Sequence, residues 1–205
     1  VIHISFAEIQ APTAPSYALA VEMEKDLNDQ ISLEYEAFYL YEQLVSAAYF
    51  ARSDKALFGF SKYFRKAADE ERHHAHELTE IINKRMGTVT LKKVEVLLDG
   101  WMDGSRMLEQ IPLTTPTTWQ TPAMALQMAL DKEIQVSQTI NSIYARAQDL
   151  NDYHVRIQDR LEHFVNEQAT AIFKLRSLIT RVEGKNDAVE YLIDQELLNS
   201  PSMHE

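Results

Sequence analysis

The sequence predicts an all-α protein: a bundle of four long helices with one long crossover between the second and third, followed by a short fifth helix. Three observations carry this. Apolar residues recur at the alternating three- and four-residue spacing of an amphipathic helix over roughly 18–50, 54–86, 122–149 and 152–183, and again over DAVEYLIDQELL at 187–198. Helix breakers are clustered, since of the five glycines Gly87, Gly100 and Gly104 fall with Pro112, Pro116 and Pro122 in one region. The junctions Arg52-Ser53-Asp54 and Leu150-Asn151-Asp152 suit tight antiparallel hairpins, whereas 87–121 can run the length of a bundle and leave helices two and three parallel.

Taken in order, residues 1–17 contain Pro12 and Pro15 and read as an extended arm outside the 18–199 domain. Val1 in place of Met implies an N-terminus already trimmed of any targeting peptide. The first and second helices form one hairpin and the third and fourth another. Within the crossover, VTLKKVEVLL at 88–98 is expected as a strand or short helix on the bundle surface, and 200–205 as a tail.

The chain has 205 residues, 45% of them hydrophobic, which suits one domain with a substantial core. No apolar run approaches the roughly 18 residues of a membrane span, so no membrane partner is expected. A net charge of −11 argues against nucleic acid and anionic membranes and suits a cationic partner. The absence of cysteine excludes disulfides, zinc fingers, iron–sulfur centres and thiol nucleophiles, so a metal would need oxygen and nitrogen ligands.

ADEERHHAHEL at 68–78 poses the functional question, because some of its acids and histidines fall on the buried face. Stepping along each helix gives Leu27, Ile31, Glu34, Phe38, Tyr41, Val45 and Ala48 on the first stripe, and Phe60, Phe64, Ala67, Glu71, His74, Leu78 and Ile81 on the second. The third reads Leu126, Leu130, Glu133, Val136, Ile140 and Ile143; the fourth reads Ile157, Leu161, Phe164, Gln168, Ala171, Leu175 and Leu178. Asp69, His73 and His76 point elsewhere. Glu34 and Glu71 are equally far from the first turn, and Glu133 and Gln168 from the second, each by about 27 Å of helix rise. Three carboxylates, an imidazole and an amide therefore share one layer, where an unpaired charge costs several kcal/mol. No Lys or Arg in the stripes offsets them. Alone, Glu34 would be an ordinary paired core carboxylate; five polar groups at one level point to a cation. Glu71-x-x-His74 with single glutamates on neighbouring helices is the ligand pattern of carboxylate-bridged di-iron or di-manganese sites, and the slots for a second Glu-x-x-His hold Gln168 and Ala171.

SLEYEAFYLY (32–41), KYFRKAADEERHHAHEL (62–78), ALDKEIQVSQ (129–138), HFVNEQATAI (163–172) and VEYLIDQELL (189–198) together resemble the ferritin family in order and spacing, over about 18–86 and 119–199. The resemblance implies a ferritin-like four-helix bundle and an iron cofactor in a di-iron centre. Glu34, Glu71 and His74 would hold the first iron, and Glu71 would bridge to a second held by Glu133. Tyr41 and Gln168 lie beside the pair, and Glu70 adjoins it. Retention of these ligands resembles the catalytic heavy-chain type, with Tyr41 and Glu71 as its catalytic residues. Gln168 with Ala171 is similar to the eukaryotic pattern; the bacterial one carries glutamates at Thr170 and Ala171. The arm at 6–20 resembles the extension of plant and algal plastid ferritins, implying a plastid location, with the cytoplasm as alternative.

The chain also departs from the family. The crossover is roughly 15 to 20 residues longer. His73 and His76 replace carboxylates of the inner cavity wall, and the acidic pair of the three-fold pore falls on Gln158 and Leu161, with Asp159 and Glu162 one residue later. His3, His154, His163 and His204 read as surface or packing residues, Trp101, Trp119, Met124 and Met128 as packing, and the pairs Glu24–Asn28 and Glu42–Ser46 as solvated.

The expected function is an iron-storage ferritin with ferroxidase activity, oxidising Fe²⁺ to Fe³⁺ with O₂ or H₂O₂ and keeping the ferric mineral in a homo-oligomeric shell, a 24-mer in the family. One alternative is a non-storing di-iron oxidase or peroxidase of the wider superfamily; the absence of cysteine removes its rubredoxin-bearing type. Another is a non-catalytic shell subunit.

Overall fold

The computed structural model describes residues 18–44, 50–93, 121–150 and 157–200, with the side chains of Gln43 and Leu44 excepted. Among the described residues, five α-helices follow one another: α1 Val21–Tyr39, α2 Phe58–Lys84, α3 Pro122–Asp149, α4 Ile157–Val182 and α5 Asp187–Asn199. No strand occurs among the described residues. α1 runs on into a π-helical turn, Leu40–Leu44.

Three of the five helix starts have a side-chain partner for their free N–H groups. The Thr121 hydroxyl accepts from Met124 N at 3.2 Å, with Pro122 in the first turn. The Asn186 side chain accepts from Val189 N at 3.2 Å. α2 has no local side-chain cap at Leu57. Its cap comes from α5, where Asp194 Oδ1, almost wholly buried, accepts from Phe60 N at 3.0 Å. The close approach needs Gly59, because a Cβ there would lie 1.8 Å from the Asp194 carbonyl oxygen.

α1 packs on α2 and α3, α3 on α4, and α5 on α2 and the end of α4. Leu19 N bonds Arg85 O at 3.1 Å, which sets the start of α1 against the end of α2. Tyr41 reaches Glu133 while Asp26 pairs with Arg146, so α1 and α3 are antiparallel too. α2 and α3 are therefore parallel, as the crossover length requires. Their link, 94–120, lies outside the described residues.

Two apolar clusters fill the bundle. One gathers Tyr41, Phe50, Phe60, Phe64, Leu126 and Leu175; the other gathers Leu27, Ile31, Leu78, Ile82, Ile140 and Phe164. Between them in the sequence of every long helix stands the polar layer of Glu34, Glu71, Glu133 and Gln168. Burial also extends beyond the single stripes to Ala68, Ala75 and Ile82 on α2, since a bundle helix touches more than one neighbour.

Three local expectations are corrected. α2 begins at Phe58 and not at 54, because Arg52 pairs with Asp54 and Ala56 takes a left-handed φ of 53°, which keeps 51–57 in a turn. Residues 88–93 are neither strand nor helix but a strap on α1; 94–98 lie outside the described residues. Asn28 is not solvated: it is buried, donates to Glu24 O and Thr88 O, and accepts from Thr90 N. That side chain satisfies a backbone with no sheet to join. The arm, Ser46 of the second supposedly solvated pair, Val45, Ala48, His3, Trp101, Trp119, His154, His204 and the tail beyond Ser200 likewise fall outside the described residues.

Candidate metal centre

The layer predicted from the four stripes exists. Glu34, on α1, retains 2% of its accessible surface, and Glu71, Glu133 and Gln168, on α2, α3 and α4, retain 3% each. His74 lies one turn beyond Glu71 with its side chain 12% exposed. One carboxylate oxygen each from Glu34 and Glu71 and one His74 ring nitrogen lie within 4.8 Å of one another. A divalent ion with ligand distances of about 2.0–2.2 Å needs a cluster only slightly tighter than this.

Electrostatics explain why the site wants a cation. Burial, then the charge of Glu71, pushes the Glu34 carboxyl well above its ordinary range. Burial, then the charge of Glu133, does the same to Glu71. Glu34 Oε2, Glu133 Oε2 and Gln168 Nε2 are buried without a hydrogen-bond partner. Orphaned buried oxygens on converging carboxylates are the donor set of a hard cation, so the residues present fit iron.

Around this layer each ligand candidate is held. Gln30, fully buried one turn before Glu34, donates its amide to Glu34 Oε1 at 2.6 Å and leaves Oε2 toward the site. The Tyr41 hydroxyl, in the π-helical turn, donates to Glu133 Oε1 at 2.6 Å. Burial and the Glu133 charge raise the Tyr41 pKa far above its usual value, so the phenol stays protonated as a donor. His74 Nδ1 lies 3.4 Å from Glu71 Oε2 and 3.9 Å from Glu34 Oε2, and Nε2 lies 3.4 Å from Glu167 Oε2. Burial lowers the imidazole pKa, but the Glu167 contact and the charge of Glu34 outweigh it, and the net shift is upward. The Phe164 edge meets the ring at a centroid distance of 5.1 Å.

Of the residues singled out from sequence, Glu34, Tyr41, Glu71, His74 and Glu133 come together, and Gln168 is buried on α4. Glu70 is exposed and pairs with Lys66 at 3.5 Å, and its charge contributes to raising the Glu71 carboxyl beside it. His73 and His76 are exposed, as their phase required. Leu161 is fully buried in the core, so the outward acidic residues on this part of α4 are Asp159 and Glu162. Sequence reasoning missed Gln30 and Glu167. Gln30 precedes Glu34 by one turn, but lies off the apolar stripe and is buried only by packing; Glu167 adjoins Gln168 and also lies off the buried stripe.

A four-helix bundle with one long crossover and a buried carboxylate–imidazole layer is, by fold and donor set, a metal-handling bundle. A family profile described as a ferritin-like domain matches residues 24–184. Ferritin from Pacifastacus leniusculus is 35% identical over 175 residues, 83% of this chain and 84% of that protein. The middle subunit of ferritin from Salmo salar is 33% identical over 186 residues, 88% and 94% of the two chains. A chloroplastic ferritin of Malus baccata var. xiaojinensis is 31% identical over 202 residues, 94% and 73% of the two chains. The chain belongs to the ferritin family of iron-storage proteins. No described helix is long and apolar enough to cross a membrane.

Proposed function

We propose that the chain is a catalytic ferritin subunit that oxidises Fe²⁺ at the buried layer and stores the product inside a shell of identical copies. The observation that carries the catalytic reading is the convergence of Glu34, Glu71 and His74 with buried, unpartnered carboxylate oxygens. Fe²⁺ is the substrate. Glu34, Glu71 and His74 bind one ion; Glu71 and Glu133, with Gln168 beside them, bind a second. The two ions supply the two electrons that reduce O₂, with two protons, to H₂O₂; with H₂O₂ as oxidant the same two electrons and two protons give water.

The carboxylates that hold protons in the empty layer release them as cations enter, which places protons where the reduced oxidant needs them. They then stabilise the ferric charge. Tyr41 keeps Glu133 oriented and can supply a hydrogen bond or a further electron to the oxidant. Gln168 offers a neutral amide where a charged ligand would bind more tightly, so the product leaves that position readily.

Oligomerisation is supported by apolar surface left uncovered on α4 and α5, where Phe173, Tyr191 and Leu192 are exposed. We read the assembly as a hollow shell of roughly 24 subunits, closed by symmetry. The compartment is read as plastid from the arm at 6–20, and immunolocalisation against a plastid marker checks it.

Stopped-flow absorbance after mixing with Fe²⁺ and O₂ tests the catalytic reading. Glu71→Ala and His74→Ala should each lose rapid oxidation and still assemble. Wild-type initial rates in either variant would overturn it. Size-exclusion chromatography with an iron assay tests storage: a small oligomer without mineral would favour a non-storing di-iron oxidase.

A further inference from the structure

His74 is the only nitrogen ligand in the candidate centre, and a neutral imidazole can ligate through only one nitrogen while the other keeps the proton. Nδ1 faces Glu71 and Glu34, so ligation through it requires the proton on Nε2. Nε2 faces Glu167 Oε2 at 3.4 Å, from the opposite helix. Glu167 is itself steadied, because its other oxygen lies 3.3 Å from His163 Nε2, one turn earlier on α4. Phe164, on the same helix, packs its edge against the ring and opposes rotation. One side of α4 thus presents an acceptor, its brace and a steric stop to a residue carried by α2.

We propose that Glu167 is a positioning residue for His74. Its carboxylate holds the Nε2–H tautomer and the ring plane, so that the Nδ1 lone pair is aimed at the cation held by Glu34 and Glu71. It does not touch the reacting ions. With its side chain 42% exposed at the edge of the layer, it can be replaced without opening a core cavity. A carboxylate on the distal nitrogen of a ligating histidine also raises the basicity of the ligating nitrogen, and losing one typically weakens metal binding about 10- to 100-fold.

This inference rests on the reading of His74 as a ligand, and a double-mutant cycle in Zn²⁺ affinity separates the two. The assembled, metal-stripped protein is titrated with Zn²⁺ against a chromophoric chelator, comparing the native chain with Glu167→Ala, Glu167→Gln, His74→Ala and the double variant His74→Ala/Glu167→Ala. Glu167→Ala should weaken the tightest site by about 10- to 100-fold with an unchanged melting temperature. Glu167→Gln should recover most of that, because its carbonyl still accepts from Nε2–H. Adding Glu167→Ala to His74→Ala should cost nothing further, because the glutamate acts only through the ring. Native affinity in Glu167→Ala, or a further loss in the double variant, would overturn the positioning role. Native affinity in His74→Ala would instead overturn the ligand reading beneath it.

Discussion

Glu34 and Gln30 show how much a single side chain reveals. Glu34 was legible because one charged residue broke an otherwise apolar stripe, and breaks on four helices coincided in depth. Gln30 was not, because its polarity matched a neighbouring face and only packing makes that face interior. The raised Glu34 and Glu71 pKa values give a signed prediction. A carboxyl whose folded pKa lies above its unfolded value contributes fully below the unfolded value, 4.5, and loses that contribution as the pH rises through the folded pKa. Metal-free protein should therefore melt at lower temperature in mildly alkaline than in mildly acidic buffer, as far as this layer decides it. Glu34→Gln should melt higher than the native chain at neutral pH, with the gap closing toward pH 4.5. Calorimetry across that range checks both, and a variant melting several degrees lower at neutral pH would mean that Glu34 is needed structurally. Gln30→Leu leaves Glu34 Oε1 buried without its donor, and should weaken Zn²⁺ binding and lower apo stability, the opposite sign from Glu34→Gln.

At the scale of elements, the periodicity found all five helices, and it failed where no side-chain signal exists. Ala56 adopts its left-handed φ without a glycine to announce it, so the start of α2 was misplaced. The strap at 88–93 was read as regular structure because its apolar alternation fits a strand; Asn28, sixty residues upstream of Thr88, supplies the hydrogen bonds that a strand partner would. The α2–α5 junction is the most exacting contact between elements. Gly59→Ala pushes a methyl group against the Asp194 backbone, where nothing can swing aside, and should cost about 1–3 kcal/mol or more. Asp194→Ala leaves Phe60 N buried and unpaired and should cost about 1–3 kcal/mol. Chemical denaturation of metal-free protein reads both; a change under about 0.5 kcal/mol in either variant would show that α5 does not anchor α2.

For the molecule as a whole, the polar layer divides one core into two, and the two metal positions proposed for it are unequal. The first gathers Glu34, Glu71 and His74, whereas the second relies on Glu71 and Glu133 with an amide nearby. The second position has an amide where the first has an imidazole, a stronger ligand, so it should bind a divalent ion more weakly and filling should be sequential. Crystals soaked briefly in Zn²⁺ should show anomalous density first beside Glu34 and His74. Glu133→Ala should keep that peak and lose the other; loss of both would show that Glu133 serves both positions. What sequence alone could not locate at this scale is the iron entry route, since burial of Leu161 turns the expected pore position into core and leaves Asp159 and Glu162 facing outward.

The bond from Phe60 to Asp194 spans 134 residues of chain, and Lys62 donates to the carbonyl of Leu198 across 136 residues, between the same two helices. During synthesis, α2 emerges long before the segment that closes off its first turn. At about 5–20 residues per second, its leading end waits several seconds on the ribosome with open backbone donors. The helix that carries two of the three principal ligands is thus completed only when the last helix has left the exit tunnel. A nascent chain stalled before Asn186 should show rapid amide exchange at Gly59 and Phe60, and the released full-length chain should not. A chain truncated before α5 should fray at the start of its metal-bearing helix, and limited proteolysis should cut it there first.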